Sequence, residues 1–203
     1  MFQPPFTAMI SGATGTGKSQ WIIKLIKNVN EMIETPPQHI LYCYSEINND
    51  IINLKKEGVE VFNGVPTKEQ IISKPKNLLL ILDDLANEIS PEFLNTLYTK
   101  GSHHWNVSVI TVCQNLFDKN VKIARINSHV IILMKSPQSL LQIRTLGSQL
   151  FPGRVAYFLE AYNDAIQREF GYIAINMSPN ISNALRLSTN IFPHEKTMIY
   201  LPV

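Results

Sequence analysis

Gly12-Ala13-Thr14-Gly15-Thr16-Gly17-Lys18-Ser19 is the stretch on which the reading of this 203-residue chain turns. An apolar, strand-like run from Phe6 to Ser11 precedes it. After it, Trp21, Ile22, Leu25, Ile26, Val29 and Ile33 recur at helical spacing, with Lys24, Lys27 and Asn28 on the other side. A glycine-rich turn between a strand and a helix lets backbone N–H groups curl around phosphates, and the helix adds its N-terminal amides and positive dipole end. The spacing G-x4-G-K-[ST] is the Walker A pattern. It assigns phosphate binding to Gly12, Ala13, Thr14, Gly15, Thr16, Gly17, Lys18 and Ser19, with Gln20 behind them. Lys18 is expected to reach the β- and γ-phosphates of ATP, and Ser19 to give its hydroxyl to Mg²⁺.

Outward from this loop, strand-like and helix-like runs alternate almost to the C-terminus, the pattern of βαβ units. The helix after the loop is expected to stop before Pro36-Pro37. His39–Tyr44, a short run at 59–62, Asn77–Leu82, Val107–Cys113 and His129–Met134 read as strands. Ser90-Pro91 and Ser136-Pro137 read as helix starts, the first helix running to about Tyr98 and the second to about Leu150. A further helix is expected over 155–168, then two β-like runs, 170–175 and 184–192, joined at Pro179-Asn180. The expected fold is α/β: a P-loop NTPase with a mostly parallel central sheet flanked by helices and a C-terminal antiparallel strand pair. One domain over 1–203 is expected, with its core at about 6–192.

The second half of the phosphate site is Asp83-Asp84, which closes the most apolar run in the chain. A run without alternation suits a strand buried on both faces, and open parallel sheets place ligands at the carboxyl ends of their strands. Asp83 is the expected Walker B ligand to Mg²⁺. Asp84 is expected to point to the other side of the strand end and to orient or deprotonate the attacking water, or else to cap the following turn. Gln114-Asn115 ends the next strand, where Gln114 can hydrogen-bond both water and γ-phosphate.

Hydrophobic residues make up 45% of the chain and charged residues 17%, with a net charge of +2 that marks no partner. No apolar run approaches the roughly 18 residues of a membrane span, and the N-terminus lacks the pattern of a signal peptide, so a soluble intracellular protein is expected. Cys43 and Cys113 lie inside apolar runs, which favours small buried hydrophobes over redox or zinc chemistry.

Beyond the Walker motifs, the segments Gly101-Ser102-His103-His104-Trp105-Asn106-Val107-Ser108-Val109-Ile110 and Thr111-Val112-Cys113-Gln114-Asn115-Leu116-Phe117 resemble those of viral genome-packaging ATPases. The closest group is the poxvirus and Polinton (adintovirus) branch of the FtsK–HerA superfamily. Ala124–His129, Ser136–Leu150 and Leu185–Phe192 also look like blocks of that family. The resemblance covers about 6–192. It implies an RecA/FtsK–HerA-like fold and ATP-driven translocation of double-stranded DNA into a capsid by a homo-oligomeric ring, commonly hexameric, with nucleotide between subunits. It further implies a capsid or portal partner and a place in the host nucleus or cytoplasm and in the virion, with no membrane. Asp84 departs from the glutamate usual in the wider superfamily.

A ring ATPase draws a positive charge from the neighbouring subunit, and arginine suits that task. Of the five arginines, Arg144 and then Arg125 are the candidates. The loop Thr99–Trp105, or Lys119 and Lys122, is a candidate for phosphate contacts with DNA. Two other readings stay open: a different P-loop enzyme such as a small-molecule kinase, and a nucleotide-binding assembly protein without turnover.

Overall fold

The computed structural model describes residues 2–202, so the expected domain limits at Met1 and Val203 lie outside the described residues. Its first strand, β1 (Thr7–Ser11), is buried throughout and runs into the glycine-rich loop and helix α1 (Lys18–Lys27). The helix stops earlier than its apolar spacing suggests. Asn28 turns its side-chain amide onto the Lys24 carbonyl at 2.8 Å, a local bond that competes with the helix. A short α2 (Val29–Met32) follows, and Ile33 bridges to Phe2.

Next come β2 (His39–Tyr44), α3 (Asn49–Lys56), β3 (Glu60–Asn63), α4 (Lys68–Ile72) and β4 (Leu78–Asp83). Neither α3 nor α4 was expected. Asn48 caps α3 by accepting from Ile51 N–H, and Thr67 with Gln70 forms a capping box on α4. Ser90 caps α5 (Pro91–Thr96) as its sequence suggests. This helix continues through a π-helical turn at Leu97–Gly101 into α6 (Ser102–His104), so Thr99–Trp105 is largely helical and not a loop. The turn buries Tyr98, whose hydroxyl donates to the Ala8 carbonyl at 2.8 Å.

The chain continues with β5 (Val107–Cys113), α7 (Lys122–Ile126) and β6 (Val130–Met134). After a 3₁₀ turn at Pro137–Ser139 come α8 (Leu140–Leu150) and α9 (Val155–Ala165), then β7 (Tyr172–Asn176), β8 (Leu187–Thr189) and β9 (Met198–Tyr200). Ser136 does not cap α8; its N–H donates to the Tyr162 hydroxyl.

Among the described residues, nine strands form one sheet in the order β3-β2-β4-β5-β1-β6-β7-β8-β9. The first six are parallel, and β7, β8 and β9 add on antiparallel, extending the expected C-terminal pair by one strand. Alternate residues feed two cores, as the period of a strand requires. Leu78, Leu80 and Leu82 pack with Tyr98, Phe158 and Tyr162 on one face. Leu79 and Ile81 pack with Trp21, Ile22, Leu25 and Ile51 on the other. Both cysteines lie in these cores, where burial pushes each thiol up to about 12. Among the described residues, no helix is long and apolar enough to cross a membrane.

Candidate active site

The strand order brings three chain segments together. β1 ends beside β5, with Ser11 level with Cys113, and β5 lies between β1 and β4, with Asp83 level with Val112. The glycine-rich loop and the Asp83-Asp84 pair are therefore two strand spacings apart, roughly 10 Å. Gln114, the first residue past β5, falls in the gap between them.

The loop is held from both sides. Ala13 N–H donates to the Lys135 carbonyl just past β6, and Thr16 Oγ1 donates to Ala13 O at 2.7 Å. A Cβ on Gly12 would lie 2.7 Å from Met134 Cβ, so only glycine fits against that strand end. Gly17 adopts φ 96 as the residue before α1. Lys18 Nζ donates to Gly12 O at 2.9 Å and Ala13 O at 3.0 Å. An ammonium has three N–H groups, so one remains to meet an anion in the cavity. Burial lowers the Lys18 pKa, while the nearby carboxylates of Asp84 and Asp83 oppose that shift.

Asp83 ends the buried β4, and the Tyr42 hydroxyl on the adjacent β2 donates to its Oδ2 at 2.5 Å. Desolvation raises the Asp83 pKa above the usual carboxylate range, and the Tyr42 hydrogen bond works against this. Asp84 departs from its expected orientation. Its backbone turns left-handed, φ 55, and both carboxylates line the same cavity. It caps no N–H of the following turn; Gln114 Nε2 lies 3.5 Å from its Oδ2. Asn115 serves the chain instead, accepting from Phe117 N–H at 2.9 Å.

One cavity of about 520 Å³ is lined by Thr14, Gly15, Gly17, Lys18, Ser19, Gln20, Asp83, Asp84 and Gln114. Ser19 and Asp83 give a hydroxyl and a carboxylate oxygen to the same space, a hard-oxygen donor set that suits Mg²⁺. Tyr44, Ser45, Glu46, Asn48 and Phe170 also line it, and none was expected. Tyr44 stands level with Asp83 on the neighbouring strand, a relationship that only the register supplies.

Neither candidate arginine lines the cavity. Arg144 is exposed on α8. Arg125 lies 4.1 Å over the Phe117 ring and donates to Leu116 O, a packing role within its own chain. The Thr99–Trp105 segment leads into the start of the central β5, at the end of the strands opposite the loop. There His103 stands edge-on to His129. Lys119 and Lys122 are exposed beyond the carboxyl end of β5.

A mostly parallel sheet with this loop at the carboxyl end of a central strand and an acidic pair two strands away is the P-loop NTPase fold. No family model matches the chain, and no curated protein matches it. Among solved structures, EssC (ATPases 2 and 3) from Geobacillus thermodenitrificans aligns with 98% of this chain at TM-score 0.59 and 14% identity. The cytoplasmic domain of EssC aligns with 98% of it at TM-score 0.50 and 14% identity. The chain spans 40% of the length of each. At such identities the likeness is one of fold.

Proposed function

We propose that this chain is an ATPase that drives double-stranded DNA into viral capsids as a subunit of a homo-oligomeric ring. The observation that carries the ATPase part is the meeting of Lys18, Ser19, Asp83, Asp84 and Gln114 on one cavity. Lys18 and the loop amides bind the triphosphate. Ser19 and Asp83 would hold Mg²⁺, which would supply positive charge to neutralise the phosphates. Asp84, kept beside Gln114, orients and deprotonates the attacking water. Among the described residues no arginine lines the site, and the exposed Arg144 of a neighbouring copy supplies the charge that stabilises the transition state. The DNA and capsid part rests on the sequence blocks that resemble packaging ATPases.

Steady-state ATP hydrolysis with and without duplex DNA tests the proposal. Stimulation by DNA supports a motor. Unstimulated activity with phosphate transfer to a small acceptor would make the chain a kinase, and binding without turnover an assembly protein. Imaging with a non-hydrolysable ATP analogue and DNA tests the ring: a persistent monomer would count against it.

A further inference from the structure

A second cavity, of about 560 Å³, adjoins the phosphate cavity and shares Gly17, Gln20 and Phe170 with it. Its floor is aromatic. Trp21 stands edge-on to Tyr172, with ring centroids 6.0 Å apart, and to Phe192 at 5.2 Å, and all three are buried. Asn190 is on its polar rim. Lys24, Lys27, Arg168, Glu169 and Glu195 also line it, with Lys24 Nζ 4.7 Å over the Phe192 ring and paired with Glu195, so an aromatic floor meets a largely charged rim.

Phe170 lines both cavities. Gly171 N–H donates to Arg168 O and closes a turn in which Phe170 takes the third position at φ 56. That left-handed position favours glycine or asparagine, and a bulky side chain there is strained. Burial does not offset the strain, because Phe170 is 51% exposed. The ring instead lies against the loop: a Cβ on Gly17 would be 2.6 Å from Phe170 Cδ1. Strain kept at the mouth of a ligand site points to use of the strained residue. Topology brings it there. β7 runs antiparallel to β6, with Tyr172 level with Met134, so the turn before β7 reaches the edge from which the glycine-rich loop springs.

We propose that Phe170 is the stacking platform for a purine base, and that the cavity over Trp21, Tyr172 and Phe192 receives the nucleoside. This rests on the nucleotide-binding reading above. With the phosphates at the start of α1, the shared residues Gly17 and Gln20 mark the way to the second cavity. A purine covers more of a single aromatic face than a pyrimidine does, and the Asn190 amide offers both a donor and an acceptor to its edge.

The test compares ATP with inorganic tripolyphosphate, each with Mg²⁺, by calorimetry on the full chain. Phe170→Asn removes the ring while suiting the left-handed backbone, so the fold is kept, as a melting curve will show. It is expected to weaken ATP binding roughly 10- to 100-fold, the range for loss of one stacked base, and to leave tripolyphosphate unchanged. Phe170→Tyr restores ATP affinity. Equal weakening of both ligands, or no loss of ATP affinity, would overturn the proposal. A wild-type chain that binds tripolyphosphate as tightly as ATP removes the base site and leaves the phosphate site standing. A wild-type chain that binds neither overturns both.

Discussion

The Tyr42 phenol donates a hydrogen bond to Asp83 across neighbouring strands, two residues along from the pair that stands level. Tyr42 is almost fully buried, and burial beside Asp83 pushes its pKa far above the ordinary phenol value, so it stays a donor at any working pH. It is the one protein donor to the Asp83 carboxylate among the described residues. Tyr42→Phe leaves that carboxylate without a partner, at a cost of about 1–3 kcal/mol. A fall in melting temperature of roughly 2–4 °C per kcal/mol is expected for a chain this size. Mg²⁺-dependent turnover falls with it. A variant with unchanged stability and Mg²⁺ dependence would show that the bond does not matter.

Asp83 also fixes a pH dependence. Its pKa is raised on folding, mainly by burial, so the folded state holds the proton more tightly than the unfolded state. Stability from this group is present below its ordinary value of 3.8 and is lost as pH rises through the raised value. Asp83→Asn removes the loss. The difference in melting temperature between the variant and wild type, without metal or nucleotide, is expected to grow in the variant's favour as pH rises from about 4 to 7. Turnover by the variant is expected to fall by two orders of magnitude or more, roughly. A flat difference would contradict the assigned burial.

Asp84→Asn separates binding from chemistry. Asparagine tolerates the left-handed backbone at φ 55, so the exchange changes charge and little else. ATP affinity is expected to hold while turnover drops about 10²- to 10⁴-fold, the worth of a general base. Normal hydrolysis by this variant would remove Asp84 from the mechanism.

Arg144 is tested by mixing. Arg144→Ala subunits and Lys18→Ala subunits, each inactive alone, are expected to regain partial ATPase activity together, because some interfaces then hold one intact site. No recovery would exclude action from a neighbouring copy. Arg125 is a weaker candidate, since its guanidinium is engaged over Phe117.

The residues legible in sequence are those whose partners lie close along the chain. The glycine-rich loop, the start of the helix after it, the unbroken apolar β4 and the Ser90 cap each carry a local signal, and each stands where it was expected. The Thr67-to-Gln70 capping box was a local signal too, and it marks α4, although the stretch around it lacks a clear apolar period. The π-helical turn carries no local signal, and the Tyr98 it buries bonds to Ala8 on a strand 90 residues away.

By itself, the sequence determined that a glycine-rich loop joins a strand to a helix, and that an acidic pair closes a buried strand. Local spacing and apolar pattern suffice for that. The tertiary structure alone decided that β5 sets Gln114 between the loop and Asp84, that Tyr42 holds Asp83, and that Phe170 lies on Gly17. These depend on strand order and register, which arise when distant segments bury a shared core, and no local pattern encodes them.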